Sequence, residues 1–259
     1  MISVVIRSKN QSKALSFLLK NLTERYAGDI AEIIVVDNCS TDDSQKVCEQ
    51  YDARFVTIER FSFGGSANVC AREAKHPIVV IFSAHSYPVS HDFFQLIKDK
   101  FDHNPNLAGL RCLHQPNDYR NFINKIPATV DPNKSGLIFS GSAFSKKVWE
   151  KYPFREDVAT FEDKEWTTRV LQEGYDIDFV PSIFAYEITR TPKQLFFRFK
   201  NDAVGNYQLW HQDISWSQIF KGFIGGLWRS LVLFLIEVKY VFLRFWYLIW
   251  FMFNKPKKF

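Results

Sequence analysis

Asp37 stands where an apolar run stops. Ile33-Ile34-Val35-Val36 reads as a buried strand, and polar residues Asn38 to Asp43 follow it. Open α/β sheets bind ligands beyond the carboxyl ends of their strands, so a carboxylate here can accept hydrogen bonds from a base or a ribose. The same stretch also reads as a turn that needs no ligand, with Ser40-Thr41-Asp42-Asp43 opening a helix as a capping box. Farther on, Phe63-Gly64-Gly65-Ser66-Ala67-Asn68 precedes a helical pattern from Val69 to Ala74. Glycines ahead of a helix let backbone amides approach a phosphate. A plain strand-to-helix turn is the other reading of that segment.

The surrounding elements must position these groups. Ser3-Val4-Val5-Ile6 is a second buried run and ends in Arg7-Ser8-Lys9-Asn10. Ala14, Leu15, Phe17, Leu18, Leu19 and Leu22 then recur at helical spacing. Strand, helix, strand, helix predicts a parallel sheet with right-handed crossovers, with Arg7-Ser8 beside Asp37-Asn38. Arg54 to Glu59 reads as a third strand and Pro77 to Phe82 as the central one. A helix is expected over His91 to Phe101, a strand over Leu107 to Cys112, and a polar loop covering the site over Asn117 to Lys134. Ile177 to Val180 is expected as the last strand, ending at Pro181, and Lys193 to Trp210 as an amphipathic helix closing over the site.

In this order the motifs resemble those of the family-2 glycosyltransferases. The family begins with an "SVVI…N" strand and continues to "VVDN-S-D-S", matched by Ser3 to Asn10 and Val35 to Ser44. The resemblance implies the GT-A fold, an α/β architecture whose mainly parallel central sheet has helices on both faces, here followed by C-terminal amphipathic helices. It implies a nucleotide site formed by Arg7, Ser8, Asp37, Gly65, Asn68 and Ser83. A "G-G-ARN" segment is common at Gly64 to Asn68, with Ala67 here where the family often has Arg. Glu162-Asp163, in Phe161-Glu162-Asp163-Lys164-Glu165-Trp166…Arg169…Gly174-Tyr175, matches "-ED-dl--Rl---Gy". There the Asp is the base that takes the acceptor's proton, which assigns Asp163 that role with Glu162 beside it. The strand and turn around Gly141-Ser142, together with Trp166, would lie at the acceptor pocket.

The family's metal motif is where this chain departs. Its "FLDADD--P" strand holds Mn²⁺ or Mg²⁺ through Asp-x-Asp, and here Ser83-Ala84-His85 fills those positions. A divalent cation is still an expectation, with His85 and Glu187 as candidate ligands that exchange the family's acid and imidazole. Direct donation from His85 to a phosphate, or a turn contact, is the alternative.

The implied activity is inverting transfer of a sugar from a nucleotide-sugar donor to a glycan or lipid-linked acceptor, as in bacterial surface polysaccharide assembly. A catalytically silent sugar-nucleotide binding or scaffold protein is the rival. A sugar-nucleotide pyrophosphorylase is disfavoured, because its glycine-rich, lysine-bearing N-terminal loop is absent.

Charge separates the chain into an expected catalytic domain, residues 1–210, and a membrane-associating segment, residues 211–259. The net charge is +5 over 259 residues, yet Ile219 to Phe259 alone holds seven basic residues against one acid, Glu237. A basic tail so rich in Phe, Trp, Leu and Ile fits an anionic membrane surface rather than nucleic acid. Arg229, Glu237, Lys239 and Arg244 interrupt its apolar run and fall on one half of a helix, so it is expected to lie on the membrane rather than span it. Cys39, Cys48, Cys70 and Cys112 have no CxxC spacing and read as free thiols in a reducing compartment. Met1 runs straight into a core strand without a signal-peptide pattern. The expected location is cytoplasmic, peripheral or monotopic on the inner face of the cell membrane.

Overall fold

The computed structural model describes residues 1–258. In chain order the elements are β1 (Ile2–Ser8), α1 (Ser12–Arg25), β2 (Glu32–Asp37), α2 (Ser44–Gln50), β3 (Arg54–Thr57) and α3 (Phe63–Glu73). Next come β4 (Ile78–Ser83), β5 (Ser86–Pro88), α4 (Phe93–His103), β6 (Leu107–Leu113), α5 (Pro116–Ile123), α6 (Pro132–Ser135), β7 (Gly141–Ser145) and α7 (Lys146–Lys151). The chain ends with α8 (Glu162–Gln172), β8 (Asp176–Tyr186), α9 (Pro192–Trp210) and α10 (Trp216–Phe253). It divides into two compact units, Met1–Trp210 and His211–Phe259.

One sheet organises the first unit, in the order β3-β2-β1-β4-β7-β6-β8-β5. β3, β2, β1 and β4 run parallel, as strand–helix repetition requires. β7 runs antiparallel between β4 and β6, so the sheet is mixed beyond its first half. Both faces are covered, which explains the near-continuous apolar runs in the central strands. Val4 and Ile6 pack with Leu15, Leu18 and Leu22 of α1 and Phe93 and Phe94 of α4. On the other face Val5 and Val36 pack with Ala67 and Cys70 of α3 and Trp166 and Val170 of α8.

Three boundaries differ from the sequence expectation. β8 continues through Pro181 to Tyr186, because its register against β6 shifts between Arg111 and Leu113, and that irregularity accommodates a proline without an N–H. Asn117 to Lys134 is no open loop. It contains α5 and α6, fastened by the buried Asp118, Asn121 and Ser135. α9 does not lie down along its whole length: its first half is exposed, and its second half packs through Gly205.

The second unit is dominated by α10. Its start is a capping box: Ser215 Oγ accepts from the Gln218 N–H, and Gln218 Oε1 accepts from the Ser215 N–H at 2.8 Å. The helix has 38 residues, none of them buried, and is long and apolar enough to cross a bilayer.

Candidate active site

Strand register gathers the first group of polar residues at one sheet edge. β1 lies between β2 and β4, with Ser8 beside Asp37 and Arg7 beside Ser83. Arg7 reaches from this edge to the start of α8, where its Nη1 donates to Glu162 Oε1 at 3.0 Å. Its Nη2 donates to the Phe139 carbonyl at 3.0 Å, and its guanidinium lies 5.7 Å from the centre of the Phe139 ring. The Phe139 N–H in turn donates to Asp163 Oδ2 at 3.2 Å. Residues from β1, the turn before β7 and α8 thus form one cluster.

Within it the two acids differ. Glu162 is buried, and burial holds its carboxyl above the usual carboxylate range against the opposing pull of Arg7. Its bond to Arg7 ties it to the end of β1. Asp163 is only partly buried, and among the described residues its Oδ1 accepts no hydrogen bond. Both sit in the first turn of α8, where the helix dipole favours negative charge. The chain approaches this turn through Phe161, whose φ of 67° lies in the left-handed region that a large side chain rarely adopts. Such a conformation costs about 1–3 kcal/mol and persists only where packing imposes it. Trp210 supplies that packing, with ring centres 5.0 Å apart, and so does Gly205, where an added Cβ would lie 2.8 Å from the Phe161 ring.

Several of the expected ligand residues already make hydrogen bonds inside the protein. Asp37 is 1% exposed; its Oδ1 accepts from Ser40 Oγ at 2.6 Å and its Oδ2 from the Ser40 N–H at 2.7 Å. Both oxygens thus help to shape its own turn. Asn68 is buried, donates to the Phe154 carbonyl and Glu156, and accepts from Trp149 Nε1 and the Phe154 N–H. It holds a neighbouring loop, and no valence is left for a nucleotide. The Gly65 N–H is taken by the helix-capping Ser62 Oγ at 2.9 Å. The three expected acceptor residues also make contacts within the protein. Trp166 is fully buried and donates to the Tyr152 carbonyl, and Ser142 Oγ accepts from the Ile138 N–H. Gly141 lies under Phe184, where an added Cβ would come within 2.5 Å of the ring. Ser8 differs: its buried Oγ has no partner among the described residues. Ser83 is half-buried, its N–H bonded to Ser86 Oγ.

The model of the glycosyl transferase family 2 matches residues 3–159, which is more than half of the chain. The chain belongs to that family. This glycosyltransferase is 25% identical over 236 residues to a dolichyl N-acetyl-α-D-glucosaminyl phosphate 3-β-D-2,3-diacetamido-2,3-dideoxy-β-D-glucuronosyltransferase of Methanococcus voltae, covering 76% of this chain and 70% of that one. Its fold matches the mannosyltransferase PcManGT of Pyrobaculum calidifontis, solved with GDP-Man and Mn²⁺, with a TM-score of 0.65 and 19% identity. That match covers 83% of this chain and 65% of the other, just under two thirds. Glucosyl-3-phosphoglycerate synthase of Mycobacterium tuberculosis, solved with Mn²⁺, UDP and glucosyl-3-phosphoglycerate, matches with a TM-score of 0.60 and 16% identity over 82% of this chain and 81% of that one.

The glycosyltransferase's own donors do not fit a divalent cation as those of the expectation would. His85 and Glu187 are brought opposite each other, the Glu187 N–H donating to the His85 carbonyl at 2.9 Å. Yet His85 Nδ1 is engaged by Gln11 Oε1 at 2.7 Å, Glu187 is exposed, and no cluster of three or more His, Cys, Asp or Glu exists among the described residues. Burial, and then the positive charges of Arg190 and Arg7, push the His85 imidazole down to about 4, so it is neutral at pH 7. The positive charges of Arg190 and Arg7 that oppose its protonation also oppose a cation bound there.

Sequence reading gave Gln11, Tyr186 and Arg190 no role. Arg190 Nη2 donates to Tyr186 OH at 2.6 Å, and the Tyr186 ring meets the His85 ring edge-on at 4.9 Å. The pairing of β5 with β8, which places Tyr186 opposite Ser86, has no local sequence signal. A cavity of about 590 Å³ was also missed; Asn133, Arg155, Lys164, Glu165, Gln208 and Trp210 are among its walls. Its Lys164 donates to the Leu137 carbonyl, and burial pushes its amine down to about 8.

Proposed function

We propose that this enzyme transfers a sugar from a nucleotide-sugar donor, with inversion, to a glycan or lipid-linked acceptor. The observation that carries the reading is Asp163: a partly exposed carboxylate at a helix N-terminus, tied through Phe139 and Arg7 to the sheet edge where β1, β2 and β4 end. Such an edge is where α/β sheets receive nucleotides. The M. voltae relative supports the lipid-linked acceptor, since its name specifies a dolichyl phosphate sugar.

In this mechanism Asp163 takes the proton of the acceptor hydroxyl. The acceptor oxygen bonds to the anomeric carbon as the bond to the diphosphate oxygen breaks, and that oxygen keeps the electron pair. Arg7, fixed by Glu162 and Phe139, lines the donor side, with Ser8 and Ser83 as its polar neighbours. The acceptor takes the cavity flanking α8, where the Trp210 ring beside Asn133, Gln208 and Arg155 suits the apolar and hydroxyl faces of a sugar.

Residues 1–210 are the catalytic domain in this reading, and residues 211–259 hold the enzyme at the cytoplasmic face of a membrane. α10 supports this: its aromatic surface is exposed throughout, while Lys221, Arg229, Lys239 and Arg244 add attraction to anionic lipid of about 1 kcal/mol each. Its charges share one half of the helix, with Leu231, Phe234, Val238, Phe245 and Ile249 on the other, which suits an interfacial position. Surface polysaccharide assembly in a bacterium is the setting that fits such an enzyme.

The test is turnover against UDP- and GDP-sugars with lipid-linked acceptors, for the native chain and Asp163→Asn. The variant should lose about two to four decades of turnover with donor affinity intact. Native-like turnover in the variant would remove Asp163 from the role, and no transfer or hydrolysis by the native chain with any donor would sink the reading.

A further inference from the structure

The donor's diphosphate needs a positive partner, and the family's carboxylate-held cation has no matching donor set here. We propose that the guanidinium of Arg190, seated on Tyr186 beside His85, binds the diphosphate and receives the charge of the leaving group, so that transfer needs no divalent cation. This rests on the nucleotide-sugar reading above and names the group that serves that site.

Four observations support it. Arg190 follows the end of β8, and its guanidinium is oriented by the bond to Tyr186 OH at 2.6 Å and by the Tyr186 ring, whose centre lies 5.8 Å away. Tyr186 is paired with Ser86 and edges His85, which places Arg190 next to the Ser83-Ala84-His85 segment that occupies the family's metal motif. Arg7, on β1 beside Ser83, brings a second guanidinium to the same sheet edge. Among the described residues Arg190 has no carboxylate within ion-pair distance, whereas Arg7 is paired with Glu162. A partly exposed guanidinium with one N–H anchored and others free is suited to fork onto phosphate oxygens, which ammonium groups and imidazole cannot do.

The accounting of the reaction is unchanged. The acceptor proton goes to Asp163, one carbon–oxygen bond forms and one breaks, and the electron pair stays on the terminal phosphate oxygen. That oxygen gains one negative charge, which Arg190 offsets where a dication would otherwise stand. Preorganised charge at a leaving group is a large contributor to rate.

Calorimetric titration of the full chain in detergent with UDP, GDP and inorganic pyrophosphate tests this, in chelator and again with Mn²⁺. Binding should be as tight in chelator as in Mn²⁺. Arg190→Gln, neutral and of similar size, should weaken pyrophosphate and both nucleotides by about ten- to a hundredfold. Arg190→Lys should recover part of that loss by restoring the charge. Binding that requires Mn²⁺, or an Arg190→Gln variant that binds as the native chain does, overturns the proposal while leaving the donor reading in place. No binding of any of the three in either buffer would instead overturn the donor reading and this inference with it.

Discussion

Two sets of polar residues stand near the sheet edge, and they differ in what their hydrogen bonds leave over. Asp37, Asn68 and Ser142 are buried and bonded within the protein. Asp163 and Arg190 are anchored by one bond each, to the Phe139 N–H and to Tyr186 OH, and keep further valences open. In the proposed reading, a polar residue that its own loop satisfies serves folding, and one that the fold fixes while leaving capacity serves the ligand. The pair Arg111–Asp118 is the extreme of the first kind, with both side chains at 2% exposure or less.

The difference has consequences that can be measured separately as activity and as stability. The largest is kinetic: Asp163→Asn should lower turnover by about two to four decades while its melting temperature moves little, because the residue's own bond is a single one to Phe139. Next is Asp118→Asn. Asp118 accepts from Arg111 Nε and Nη2 at 3.1 and 2.7 Å, and leaving the buried guanidinium unpaired should cost about 3–5 kcal/mol by chemical denaturation.

Asp118 also predicts a pH dependence. Its neighbours Arg111 and His114 hold its carboxyl far below the usual range, against burial. A carboxyl depressed in the folded state contributes its stability above the unfolded value, about 3.9, and loses it as pH falls below that value. Native stability should therefore fall steeply below about pH 4, and the slope should flatten in Asp118→Asn; equal slopes in both chains would assign acid unfolding to other groups.

Smaller effects are expected from the remaining bonded residues. Asn68→Ala should lose about 1–3 kcal/mol of stability, since it orphans Trp149 Nε1 and the Phe154 amide, with UDP affinity unchanged. Asp37→Ala should behave alike at about 1–2 kcal/mol, through its turn with Ser40. A tenfold loss of nucleotide affinity with an unaltered melting temperature would return Asp37 to the ligand set. Removal of residues 211–259 should leave turnover on a soluble acceptor near native and abolish sedimentation with anionic vesicles. A full-length protein that ignores such vesicles would end the membrane assignment.

The sequence by itself determined the repeating strand and helix units, the family, and the position of Asp163. Each of these is local: apolar runs set β1, β2 and β4, and a short acidic motif before a helical pattern marks the start of α8. It also showed what was missing, since the metal motif's carboxylates are absent at Ser83-Ala84-His85. The tertiary structure alone decided which polar residues are spent. Asn68 meets its partners 81 to 88 positions away, and Arg7 meets Glu162 across 155. The bonds that satisfy Asn68, and the antiparallel pairing that brings Arg190 beside His85, depend on long-range packing. Whether a side chain's hydrogen bonds are already made is a property of its neighbours in space, which residue type and spacing do not carry.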